Sequence, residues 1–300
     1  MLDSTLICVP KVGGLPARAV VKRLDDHDNP IEVQVDNLRL RFKAHEVTIS
    51  GSLPRYLRHE NVFPTTVSDV RLAIEKLQDE FGIVLGDTRI WSMEIGQNLV
   101  MDYPVHEYLA RWGPLRRFRR TTADDWSSVL YHNSRVSFQG YDKVAETGEE
   151  NLPEAFQGKH ALKLEQKYKR DIARIFGPLT LADLLAPDLW TQLIGRWRRL
   201  ALKIPKYRVP RFDANHGTRG VTNSLAAMQL EVPGCREVCL ATISNQRETP
   251  KETRSRQRAA ISRLSTSPDW TDDRNDLNDE LEAKICRAAK DFFGGFRAQS

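Results

Sequence analysis

Four separated segments of this chain alternate apolar and polar side chains with a period of two: VQVDNLRLRFKAHEVTISGSL, RIWSMEI, RVSFQGY and LKLEQKY. No other feature limits the fold as strongly, because such a run is a half-buried strand, with one face on a core and the other toward water. The first segment reads as two strands closed by Gly51-Ser52-Leu53-Pro54, and SSVLYHN with SRVSFQGYDK reads as a hairpin.

Between the strands the period changes. TTVSDVRLAIEKLQDEFG predicts a helix: Thr66 or Ser68 caps it, Val70, Ile74 and Leu77 recur at helical spacing, and Gly82 lies just past its end. VHEYLARW is helix-like, and a long helical tract runs from about Leu179 to Leu202. The fold class expected is α+β, a mainly antiparallel sheet with helices on one face, plus a small helical C-terminal unit. The main domain spans 1–204, a linker rich in proline and charge covers 205–220, and a helical accessory domain takes 221–300. A chain of 300 residues, 40% hydrophobic, can bury one full core and add a smaller second unit.

The net charge of +5 is modest but uneven, since RWGPLRRFRR holds five arginines in ten residues. Arg111, Arg116, Arg117, Arg119 and Arg120 are suited to neutralising phosphates, with Trp112 and Phe118 offering surfaces on which unpaired bases stack. A solvated basic loop is the plainer alternative. The stretch Arg254 to Arg263 is a second basic segment. Cys8, Cys235, Cys239 and Cys286 are too few and too scattered for a disulfide framework and are expected to be reduced. The N-terminus lacks a signal peptide's basic start and apolar core, and no apolar run nears the roughly 18 residues of a membrane span. A cytoplasmic protein without membrane contact is expected.

Parity sorts each strand by face. In RVSFQGY, Val136 and Phe138 oppose Arg135, Ser137, Gln139 and Tyr141; in RIWSMEI, Glu94 opposes Trp91, Met93 and Ile95. In LKLEQKY, Leu162, Leu164 and Tyr168 oppose Lys163, Glu165 and Lys167. If the strands share a sheet, Glu94, Tyr141 and Glu165 share its polar side. Antiparallel sheets often carry a solvated polar face with no function, so parity alone leaves both readings open. Two carboxylates can hold Mg²⁺ or Mn²⁺, and a metal so held polarises a phosphate. A phenol beside cations such as Lys143 can act as a nucleophile, leaving a phosphotyrosyl link.

The elements GSLPRYLRHENVFP, RIWSMEIGQNL, SVLYHNSRVSFQGYDKVAE and LKLEQKYKRDIARIFG resemble the gene II class of filamentous-phage replication initiators. More distantly, the chain is similar to the rolling-circle initiators of small plasmids. The likeness covers roughly residues 1 to 200 in order. It implies a site-specific endonuclease and ligase in the cytoplasm of a bacterial host, acting on single- and double-stranded origin DNA with a host helicase as partner. Carried over position by position, it implies Tyr141 as nucleophile in a Tyr-Asp-Lys pattern and Glu94 and Glu165 as ligands of Mg²⁺ or Mn²⁺. The chain departs from the plasmid pattern at Asn98, where those proteins have a second acidic residue, and it lacks a His-hydrophobic-His motif.

Tyr131, beside His132 in the same hairpin, is the alternative nucleophile; otherwise it is an aromatic near a turn. Lys143 either steadies the attacking phenolate or grips a phosphate, and Glu146 is spaced for a structural salt bridge to it. Arg55, Tyr56, Arg58 and His59 either contact DNA or hold a loop. Two other function classes stay open: a non-catalytic DNA-binding regulator of replication or transcription, and a conjugative relaxase.

Overall fold

A computed structural model describes residues 2–9, 14–27, 29–169, 172–207, 250–266 and 276–297, together with residues 226, 239, 240, 243 and 244. The fold is α+β, as the alternation predicts. Among the described residues ten strands form the sheet: β1 (Leu2–Val9), β2 (Val20–Leu24), β3 (Pro30–Val35), β4 (Leu38–Phe42), β5 (Val47–Gly51), β6 (Arg89–Met101), β7 (Arg119–Thr122), β8 (Ser128–His132), β9 (Val136–Asp142) and β10 (His160–Tyr168). Their order is β2-β3-β4-β5-β1-β6-β10-β9-β8-β7, antiparallel throughout. β1 joins a four-stranded half to a five-stranded half.

The 33–53 stretch carries parts of three strands, where alternation alone suggests two. Asp36 takes φ 50 and turns the chain between β3 and β4, a conformation that aspartate tolerates better than most side chains. The apolar set Val33, Val35, Leu38, Leu40, Val47 and Ile49 stays buried through both turns.

Helix α1 (Leu53–Arg58) leads to α2 (Val67–Phe81). Of the two predicted caps Thr66 is the one used: its side chain accepts from the Asp69 N–H while Asp69 accepts in return from the Thr66 N–H. Gly82 ends the helix at φ 60, a left-handed position glycine adopts without strain. Val70, Ile74 and Leu77 are buried, as their spacing predicts. Helix α3 (Val105–Leu109), the one-turn α4 (Lys143–Thr147) and α5 (Ala173–Phe176) precede α6 (Pro187–Lys203). Helix α6 packs on β10, its Trp197 indole N–H donating to the Leu164 carbonyl at 3.3 Å.

The opposite face is only partly bare. Val62, Leu152, Phe156 and Ala161 form a small apolar cluster there, with Val144 against it. In β6 the expected apolar set fails at one residue: Trp91 is 43% exposed and Ile90 is buried instead. The β1–β6 register slips at this point, from Leu6 opposite Ser92 to Ile7 opposite Ile90. Such a bulge reverses the facing of the extra residue.

The chain divides into two compact units, Met1–Leu109 with Pro114–Ile204 and Glu282–Ser300, and Ala110–Gly113 with Pro205–Leu281. One boundary between the units falls after Ile204. The accessory region is not one contiguous block, however. It holds α7 (Lys251–Thr266) and the start of α8 (Asp276–Arg297), whose remainder belongs to the first unit. There Ala289 and Phe292 pack on Ile194. Most of the predicted linker, and Cys235, lie outside the described residues; Cys239 and Cys286 are free thiols. Among the described residues no helix is long and apolar enough to cross a membrane.

Candidate active site

Register places the polar-face residues in rows across the sheet. One row reads Asn98, Lys163, Tyr141, Ser128; the next Gly96, Glu165, Gln139, Leu130; the next Glu94, Lys167, Ser137, His132, Arg119. Tyr141 and Glu165 are therefore diagonal neighbours on adjacent strands, within side-chain reach. The Tyr141 hydroxyl donates to Glu165 Oε1 at 2.9 Å. Lys163 Nζ lies 3.8 Å from the same oxygen, and the lysine is only 2% exposed. Its ammonium compensates the carboxylate in a setting that screens charge poorly.

These groups open onto a polar cleft of about 440 Å³ lined by Ser128, Gln139, Tyr141, Asp142, Glu146 and Glu165, among others. Directly after Tyr141 the strand ends, because the Asp142 carboxylate accepts from the Val144 and Ala145 N–H groups at 2.9 and 3.1 Å and caps α4. The aspartate of the Tyr-Asp-Lys pattern thus bends the chain. Lys143 is buried and ion-paired with Glu146 at 2.6 Å, the salt bridge its spacing predicts. Burial raises the Glu146 carboxyl, but hydrogen bonds from Lys143 and Thr147 and the charges of Lys143 and Lys163 outweigh it and hold it below the usual carboxylate range.

Glu94 faces the same side but belongs to the third row, where Lys167 Nζ binds its Oε2 at 3.0 Å. Asn98, at the position of departure from the plasmid pattern, donates its amide to the Val62 carbonyl at 2.5 Å and ties down the segment covering this end of the sheet. Among the described residues no group of three or more histidine, cysteine, aspartate or glutamate side chains gathers as metal ligands do. Two carboxylates, each beside its own lysine, are neutralised before an ion arrives, and hard cations need more oxygen donors than these. The residues present do not fit a carboxylate-held Mg²⁺ or Mn²⁺.

Other predicted residues are corrected by burial. Tyr131 is 0% exposed and shares the helix-covered side of β8 with Val129, so it offers no hydroxyl to a substrate. Arg111 and Trp112 are each 2% exposed: the Arg111 carbonyl accepts from the Tyr207 N–H at 2.7 Å, and Trp112 bridges Lys206 in a short antiparallel contact. Neither presents a surface for phosphate or base. Arg116, Arg117 and Arg119 are exposed, and Arg120 lies over the Trp126 ring at 5.3 Å. Arg119 lies on the Tyr141 side of the sheet by register.

The family-like GSLPRYLRHEN element mostly builds the α1–α2 corner. Tyr56 is buried and donates to Glu80 at 2.6 Å, Arg58 pairs with Asp69 at 3.1 Å, and His59 ends α1 at φ 64. Arg55 is exposed. Lys163, Gln139 and Ser128 are the site residues that sequence reasoning passes over. Parity assigns the first two to the polar face, but only register shows that they flank Tyr141 and Glu165. No family profile matches the chain, and no curated protein matches it.

Proposed function

We propose that this chain is a tyrosine-dependent nicking and strand-transfer enzyme acting on single-stranded DNA at a replication origin, in the manner of rolling-circle initiators. The observation that carries the reading is the 2.9 Å hydrogen bond from Tyr141 to Glu165 at the wall of an open polar cleft. A phenol with an ordinary pKa near 10 needs a base at hand to attack phosphorus at neutral pH, and Glu165 is that base.

In the reacting step Glu165 accepts the phenolic proton as the Tyr141 oxygen bonds to phosphorus. One P–O ester bond breaks, and the departing oxygen takes a proton and leaves as a free hydroxyl on one DNA end. The phosphotyrosyl ester stores the phosphodiester energy, so attack by a hydroxyl reverses the step and closes a strand. Lys163 supplies positive charge beside Glu165 as charge develops. Exposed Arg116, Arg117 and Arg119 hold the DNA backbone, while a host helicase opens the duplex. Lys143 with Glu146 shapes the cleft wall.

The test is covalent capture. The full chain is incubated with a labelled pool of single-stranded oligonucleotides of randomised sequence and run on a denaturing gel. A shifted band whose linked peptide, by mass spectrometry, carries DNA on Tyr141 is expected. Tight DNA binding with no covalent band would leave the non-catalytic regulator as the better reading.

A further inference from the structure

A second cleft, of about 330 Å³, lies on the helix-covered side of the same sheet. Its wall includes Gln166 and Tyr168, which point away from Glu165 by strand parity, and the basic residues Arg135, Arg196, Arg199 and Lys203; Arg135 lies in the turn before β9, so it does not follow the parity that puts it with Tyr141. The last three recur at helical spacing and so lie along one face of α6. All four cations are exposed, and none forms a salt bridge with a described carboxylate. Among the described residues no acidic side chain lines the cleft.

Two further features separate it from an ordinary basic surface. Tyr168 is 1% exposed and Gln166 4%, yet the Tyr168 hydroxyl and Gln166 Oε1 have no hydrogen-bond partner among the described residues. Buried polar atoms are rarely left so, because each forfeits its hydration without replacement. Burial also pushes the Tyr168 hydroxyl up, opposed by the nearby Arg196 charge, so it stays a neutral donor across the physiological range. Beside them Phe118, Val136 and Leu200 supply apolar wall. The cleft thus combines a cationic rim, an apolar wall and an unfilled buried donor and acceptor.

We infer that this cleft is a nucleotide-binding subsite, in which Arg135, Arg196, Arg199 and Lys203 hold a phosphate while the base meets Phe118, Gln166 and Tyr168. Guanidinium groups match phosphate oxygens, and a base brings both a flat face and N–H and carbonyl groups for the two buried partners. The size suits one nucleotide. The phosphate belongs either to a free mononucleotide or to one unit of a single strand. The site does not depend on Tyr141 being a nucleophile.

Calorimetric titration of the full chain with dTMP, with single-stranded dT5, with thymidine and with inorganic phosphate tests it. Binding of dTMP assigns a free nucleotide, binding of dT5 alone assigns a strand, and thymidine and inorganic phosphate bind at least tenfold more weakly than either. The exposed charge reversals Arg199→Glu with Lys203→Glu lower the affinity at least tenfold with an unchanged melting temperature. Tyr168→Phe lowers it about threefold. The inference fails if neither dTMP nor dT5 binds, if inorganic phosphate alone binds as tightly, or if the double charge reversal binds like the native chain.

Discussion

The molecule contains the same hydrogen bond twice, a tyrosine hydroxyl on a glutamate carboxylate, in two unlike settings. Tyr56 donates to Glu80 at 2.6 Å and Tyr141 to Glu165 at 2.9 Å. Tyr56 is 0% exposed, Lys76 covers its ring at 4.2 Å, and Arg18 clamps the same carboxylate while also pairing with Asp36. Burial, then the hydrogen bond to Glu80, pushes the Tyr56 hydroxyl far above its ordinary value. Tyr141 instead lines an open cleft. A Tyr–Glu pair is thus a structural lock where burial seals it, and a candidate nucleophile with its base where a substrate can reach the oxygen.

The largest expected effect falls on the open pair. Tyr141→Phe should abolish the covalent DNA band while leaving the melting temperature nearly unchanged, because only an accessible hydroxyl is lost. If Tyr141→Phe still forms the adduct, the open pair is no more a nucleophile than the closed one. Glu165→Gln should slow adduct formation by about 10²-fold, since it removes a general base while keeping a hydrogen-bonding side chain. Adduct formation at the native rate in that variant would remove Glu165 as the base.

At the sealed pair the expected effect is on stability. Tyr56→Phe should destabilise the fold by about 1–3 kcal/mol in denaturant titration, leaving partly buried Glu80 one donor short, with adduct formation by the folded fraction intact. The pH dependence follows from the direction of the shift. Tyr56 has a raised folded-state pKa, so its neutral form is favoured on folding and its contribution is complete below the unfolded value of about 10. As pH climbs past that value the unfolded chain releases a proton the folded one keeps, and stability falls. Tyr56→Phe should flatten this alkaline decline; an equally steep decline in the variant would contradict a sealed phenol.

The smallest effects are expected at Glu94. Because its carboxylate is engaged by Lys167 two rows from Tyr141, Glu94→Gln should change adduct yield by under about threefold, and excess EDTA should do no more. A collapse of activity in EDTA would mean that Glu94 and Glu165 exchange their lysines for an ion when DNA is bound, and Glu165 would then be a metal ligand rather than a base.

Much of this is legible in the chain itself. A period of two decides which way a side chain points from its own strand, so it assigns Glu94, Tyr141 and Glu165 to one face, and helical spacing assigns Val70, Ile74 and Leu77 to the inner face of α2. The cap at Thr66 and the stop at Gly82 are likewise local chemistry. Where distant contacts interrupt local rules, the pattern misleads. Alternation places Trp91 on the apolar side, but a slip of register against β1 turns it out. Tyr131 resembles a rival nucleophile in the sequence, yet α3 and α6 cover its side of the sheet. Arg111 and Trp112 resemble a DNA contact, yet the segment at Lys206 and Tyr207 bonds to them.

The alternation of faces, the helix ends and the α+β class can be read from the residues alone, because each follows from forces acting within a few positions of the chain. Long-range packing settles the rest: that Glu165 rather than Glu94 meets Tyr141, that Lys163 is buried beside them, and that Asn98 holds a covering segment. Those outcomes are set by the register of β6, β10 and β9, strands far apart in the chain, and register depends on the packing of the whole sheet rather than on any one segment.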